Sequence, residues 1–219
     1  MYHIFLFRGS PKFRKLPPFL PRSLDFRAVC TIMEPSNGTT VSERMRSSTN
    51  ETLHTLRARR SVRRYRPEQI QPEELDAILE AGTWAPSAMG RQPAVLVVVQ
   101  DPETIAYLSK LNAEIQGQPG TDPFYGAPTV VVVLADGANY LQDGSLVMGN
   151  LMNAAWSLGV ASCWINRAKE LFERPEGKEL LRKWGLPETL NGVGNCILGY
   201  ADGDIPAPKP RKEGSIVRV

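Results

Sequence analysis

Ten consecutive residues, Arg57-Ala58-Arg59-Arg60-Ser61-Val62-Arg63-Arg64-Tyr65-Arg66, carry six arginines. Charges at that density repel one another unless an anion sits among them, and the guanidinium fork matches phosphate oxygens in pairs. Ser61 adds a hydroxyl donor. The run suits a nucleic-acid backbone, the phosphate of a small cofactor, or a solvated helix face. A second cationic element, Lys209-Pro210-Arg211-Lys212, lies far away in sequence, with a proline that keeps the backbone extended. Convergence of both segments on one phosphate would account for the pair. The third element is Ala85-Pro86-Ser87-Ala88-Met89-Gly90-Arg91-Gln92-Pro93. Its small residues let backbone approach a flat ligand closely, while Ser87, Arg91 and Gln92 offer hydrogen-bonding groups. No Gly-x-Gly-x-x-Gly or phosphate-loop pattern occurs, so an ordinary dinucleotide or P-loop site is not indicated.

The elements that must position these residues alternate between helical and extended patterns. A short helix is expected from Leu53 to near Arg60. Pro72-Glu73-Glu74 reads as a helix start, with a rigid first turn and acids at the positive end of the helix dipole. Leu75, Ile78 and Leu79 then give it a core-facing stripe. Ala94–Val99 and Thr129–Leu134 are unbroken apolar runs expected as buried strands. Asp101-Pro102 opens a helix through Leu111. Asp143 is expected to cap a long helix ending at Gly159, apolar nearly all round and therefore enclosed on every side, either inside a large core or between two subunits. A strand near Ser162–Ile165, a helix Pro175–Trp184 and a strand Asn195–Tyr200 follow. Ser215–Val219 is strand-like but has no evident partner in its own chain, which suggests a reach across a dimer.

Charge divides the chain. Residues 1–50 hold eight of the 26 basic residues and three of the 23 acidic ones, leaving 18 basic and 20 acidic for residues 51–219. The first segment, rich in proline and polar residues, offers no periodic apolar face and is expected to be a disordered tail. Its apolar stretch Tyr2–Phe7 is short for a secretory signal, its prolines spoil an amphipathic transit helix, and Met33 or Met45 is an alternative start. A net-negative body argues against nucleic acid as a partner. Cys30, Cys163 and Cys196 lack the spacing of a disulfide framework or metal cluster, which fits a reducing, cytoplasmic setting. No apolar run reaches the roughly 20 residues of a membrane-spanning helix.

In order, Arg59-Arg60-Ser61-Val62-Arg63, Ala85-Pro86-Ser87-Ala88, the helix with Asn150 and Ala154-Ala155, Ser162-Cys163-Trp164-Ile165 and Lys209-Pro210-Arg211 resemble the FMN-dependent nitroreductase family. The resemblance covers about residues 51–219. It implies an α+β homodimer, a mixed sheet flanked by helices, with two FMN sites at the interface and a C-terminal extension wrapping the partner. By this resemblance Arg59, Arg60, Ser61 and Arg63 hold the phosphate and pyrimidine side of FMN, and Lys209 and Arg211 meet the phosphate from the far end of the chain. Pro86, Ser87 and Ala88 line the site from the other subunit, Asn112 lies near the flavin, and the N–H groups of Asn166 and Arg167 face flavin N5 and O4. The implied activity is ping-pong reduction of nitroaromatic, quinone or similar electron-poor acceptors by NAD(P)H, with no catalytic side chain and no metal. A dehalogenase, dehydrogenase or flavin-degrading relative is the alternative within flavin chemistry. Gly90 and Ala94 stand where many members have Asn and Trp, and Asn166 where some have Glu, which implies a more open, less acidic pocket.

Overall fold

The structure, a computed structural model, describes residues 50–219. The expected tail therefore lies outside the described residues, apart from Asn50. The elements run α1 (Glu51–Ala58), α2 (Pro72–Thr83), β1 (Ala94–Val99), α3 (Pro102–Ile115), β2 (Thr129–Ala135), α4 (Tyr140–Ser157), β3 (Ala161–Ile165), α5 (Ala168–Glu173), α6 (Pro175–Lys183) and β4 (Asn191–Gly199). The sheet order is β1-β2-β4-β3, and every neighbouring pair of these strands is antiparallel. The expected mixed sheet thus consists of four antiparallel strands plus one parallel rung, the bridge between Ser61 and Ser162.

Alternation along β2 builds a core on both faces of the sheet. Val130, Val132 and Leu134 pack with Leu108, Leu111, Phe172 and Leu181, and Val131 and Val133 with Ile78, Met148 and Leu151. All seven β2 residues are buried, which explains why this antiparallel strand reads as a continuous apolar run. β1 was expected to be equally buried and is not. It is an edge strand with one neighbour, and only Val99 is fully enclosed.

α2 starts where Pro72 predicts, and Gln71 N donates to the Glu74 carboxylate at 3.0 Å. α3 runs four residues past Leu111, because Asn112 and Ala113 continue its buried face. β4 begins four residues before Asn195, at Asn191. Gly192 conceals that start, since a Cβ there would overlap the Ala168 carbonyl. One expectation about α4 needs correction. Its N-cap is Asn139, and Asp143 already lies in the first turn with its own N–H on the Asn139 carbonyl at 3.0 Å. Of the two enclosures expected, a core within one chain covers one side only: Val147, Met148, Leu151 and Ala155 are buried, whereas Leu141, Leu146 and the flanking Leu158 are more than 40% exposed. Residues Ser215–Val219 form no strand and are exposed, and they do not add to the open edge of β1.

Candidate functional site

The arginine-rich stretch is laid along the sheet by backbone hydrogen bonds. Val62 N donates to Ser162 O at 3.0 Å, and Ser61 pairs with Ser162. Further on, Asp202 N donates to Arg64 O at 3.0 Å and Arg66 N to Tyr200 O at 2.9 Å, with Tyr65 opposite Ala201. Buried Val62 anchors the stretch, and the Tyr65 hydroxyl donates to the Val62 carbonyl at 2.7 Å. Burial, assisted by the nearby Cys163 and Cys196 thiols, pushes the Tyr65 phenol far above its ordinary range, so it remains a donor.

A backbone held at both ends gives each cation its own place. Arg60 is half-buried, and its Nη1 caps the carbonyls of Arg57, at 2.9 Å, and Arg59, while its Nε is buried with no partner. The Ser162 hydroxyl across the rung is also buried without a partner. Arg59 makes its charge felt at Cys196: burial pushes that thiol up to about 12, with Cys163 adding to the rise and Arg59 opposing it. Arg64 is committed to Asp202 at 3.1 Å. Arg63 is exposed and makes no side-chain hydrogen bond or ion pair among the described residues.

β3 carries the line from Ser162 to Ile165 and then turns sharply. Arg167 sits at φ +78, a left-handed conformation that costs a side-chain-bearing residue roughly 1–2 kcal/mol. The Asn112 amide holds this elbow from behind, donating to Asn166 O at 2.7 Å. Arg167 in turn pairs with Glu170 at 2.9 Å. Asn166 and Arg167 are exposed, but Asn112 is wholly buried. Asn112 thus buttresses the elbow and presents no side-chain surface to a ligand.

The Ala85–Pro93 loop is internally braced. Gln92 N donates to Ser87 Oγ and Gly90 N to Ser87 O, both at 2.9 Å, and Met89, Gly90 and Gln92 all lie at positive φ. Pro86, Ser87 and Ala88 are carried on this brace. Lys209 and Arg211 are different. They stand on an exposed arm whose hydrogen bonds are local, Arg211 to the Lys209 carbonyl at 2.8 Å and Ser215 to the Lys212 carbonyl at 2.6 Å. The hollow of that arm is lined by Lys209–Lys212 and Gly214–Ile216 and by no residue of the arginine stretch. Within one chain, therefore, the structure joins Arg59–Arg63 to β3 and the Asn166–Arg167 elbow, and it does not bring Lys209 or Arg211 to them.

A family-wide comparison matches residues 56–200 to the nitroreductase family. The chain belongs to that family. Among its relatives, the Thermus thermophilus NADH dehydrogenase is 42% identical over 154 residues, which cover 68% of each chain. The Bacillus subtilis FMN reductase [NAD(P)H] is 28% identical over 186 residues, 74% of this chain and 70% of that one. A solved nitroreductase from Bacteroides fragilis with bound FMN superposes with a TM-score of 0.73 at 34% identity, covering 78% of this chain and all of its own.

Three features of this nitroreductase fold escaped the sequence reading. Trp164 packs over Gly194, where a Cβ would lie 2.5 Å from its Nε1. Asn195 stands fully buried in the sheet with neither amide atom partnered among the described residues. Asp143 accepts a hydrogen bond from Ala88 N at 2.9 Å, linking α4 to the braced loop. Only the glycine at 194 could have signalled any of these, as a position where another group approaches the backbone closely.

Proposed function

We propose that this chain is an NAD(P)H-dependent FMN oxidoreductase that reduces nitroaromatic, quinone or similar electron-poor acceptors in a ping-pong cycle. The observation that carries this reading is the half-buried Arg60 beside the Ser61–Ser162 rung, with a donor left over at Nε. A spare, partly desolvated guanidinium donor on a fixed backbone fits a phosphate-bearing cofactor. In its bound form FMN supplies hydride acceptance and donation at N5. Arg59, Arg60, Ser61 and Arg63 bind the phosphate and the pyrimidine edge. The elbow orients the N–H groups of Asn166 and Arg167 toward the ring, where such dipoles favour developing negative charge.

In this reading two chains form a homodimer. Pro86, Ser87 and Ala88 border the flavin of the second chain, and the arm delivers Lys209 and Arg211 across the interface. The exposed leucines of α4 become interface contacts. NAD(P)H and the acceptor take turns at one open face, so no catalytic side chain or metal is needed. Among the described residues no helix is long and apolar enough to cross a membrane. With Cys163 and Cys196 free and buried, we assign the protein to the cytoplasm.

The test is to purify the full chain, reconstitute it with FMN and mix it anaerobically with NADH or NADPH. A dimer with a flavin spectrum that bleaches, then recovers when a quinone is added, is the expected result. A colourless protein that shifts DNA with a steep salt dependence would overturn the reading in favour of nucleic-acid binding.

A further inference from the structure

We propose that Asp143 is a positioning residue that sets the shape of the Ser87–Gln92 loop, and through it the fit of the electron acceptor. This rests on the flavin reading above, in which that loop borders the open face. Asp143 is 7% exposed, an unusual setting for a carboxylate on the first turn of a helix. Its Oδ1 accepts from Ala88 N at 2.9 Å, from a segment 55 residues away in sequence. Its placement is independently fixed. The neighbouring Gly144 lies so close to β4 that a Cβ would sit 2.5 Å from Val193 Cγ2, so this turn of α4 cannot drift.

The loop needs such a hold. Met89 at φ +53 and Gln92 at φ +52 both carry side chains in the left-handed region, with Gly90 at φ +63 between them. Non-glycine residues stay there only when surrounding contacts over-determine the backbone. Ser87 supplies the internal contact by accepting from Gln92 N. Asp143 supplies the external one, at the entrance to the turn. The consequence is visible at the surface, where Met89 is 77% exposed and Trp84, just before the loop, 78%. A large apolar side chain presented outward by a strained, externally pinned turn is suited to selecting a flat, electron-poor acceptor. The carboxylate touches neither cofactor nor substrate, so its effect should appear in binding at the open face and not in the rate of hydride transfer at saturating NAD(P)H.

The experiment compares Asp143→Ala with Asp143→Asn in the FMN-loaded full chain. Hydrogen exchange across residues 85–93 reports the loop. Steady-state kinetics with p-benzoquinone, and stopped-flow reduction by NAD(P)H, report the chemistry. Asp143→Ala is expected to speed exchange at Ala88 and to raise KM for the quinone about tenfold, with flavin reduction at saturating NAD(P)H changed by less than about twofold. Asp143→Asn keeps a side-chain oxygen acceptor and is expected to restore both readouts. Unchanged exchange and KM in the alanine variant, or an asparagine variant as impaired as the alanine one, would overturn the proposal. Failure of the flavin reading looks different: wild-type protein would take up no FMN at all. If Asp143→Ala does not fold, Ala88→Pro removes the same N–H from the other side, at the first residue of the short 3-10 turn Ala88–Gly90 and after an extended Ser87 that tolerates a following proline, and must reproduce the KM change.

Discussion

The two cationic segments place like charges by unlike means. The arginine stretch is bonded through its backbone to Ser162 at one end and to Tyr200 and Asp202 at the other, so the sheet decides where each side chain stands. Among the described residues the C-terminal arm bonds only to itself, and every residue from Gly203 onward is exposed. Under the proposed function the first segment is a preformed half of an anion site, and the second becomes the other half only against something outside its own chain. Preorganised donors spend little ordering entropy on binding, whereas a free arm must be ordered at the moment of assembly. Cofactor affinity should therefore respond to single side chains in the first region and to assembly in the second.

The most damaging change to the preformed half should be Gly192→Ala, beneath the elbow. A methyl there meets the Ala168 backbone, which cannot yield as a flexible side chain would. We expect a loss of about 3 kcal/mol or more in urea unfolding. Next comes Arg60→Ala, expected to weaken FMN retention roughly tenfold to a hundredfold while leaving the unfolding midpoint nearly unchanged. Arg60→Lys should not rescue it, because the guanidinium bridges two carbonyls and still keeps Nε to spare. Flavin titration followed by fluorescence quenching measures both variants, and retention equal to wild type in either would remove the arginine stretch from the site.

The core beneath the stretch offers a pH-dependent check. An unfolded thiol titrates near pH 8.5, but burial holds the folded Cys196 thiol at about 12, with the Arg59 charge opposing the rise. Between those values the unfolded state loses a proton that the folded state keeps, so stability must fall as pH rises. The slope from this group approaches about 1.4 kcal/mol per pH unit. Urea midpoints between pH 8.5 and 10 should decline less steeply in Cys196→Ala than in wild type. Arg59→Ala should shift the thiol still higher, and an absorbance titration of the thiolate would reveal an Arg59 that has no influence.

Helix starts marked by proline and acid, and the valine run of β2, were legible because each is decided locally. Pro72, Pro102 and Pro175 all open helices in the structure. What escaped is decided at a distance. The α5 helix has six residues, too few to show a helical period. The elbow turns at an arginine, not a glycine, because Asn112 braces it from 54 residues away. Asp143 has the sequence signature of an N-cap, yet its carboxylate serves a different segment altogether. The Arg57–Arg66 cluster could be read from sequence, but which of its members were already committed could not. Arg64 is taken by Asp202, whereas Arg60 keeps a donor in reserve.

The smallest expected effect on the body is also the sharpest probe of the contrast between the two segments. Removing residues 206–219 deletes an arm whose residues are all exposed. Deletion should therefore shift the unfolding free energy of the isolated body by no more than about 0.5 kcal/mol, the range for surface changes. Flavin retention should nonetheless fall, because Lys209 and Arg211 go with the arm. Fusing two truncated chains through a flexible linker should restore pairing but not those charges, so affinity should stay low unless the arm is returned. Full retention by the truncated protein would mean that the arginine stretch is sufficient alone, and a large loss of body stability would mean that the arm is a structural strap and not a ligand-bearing one.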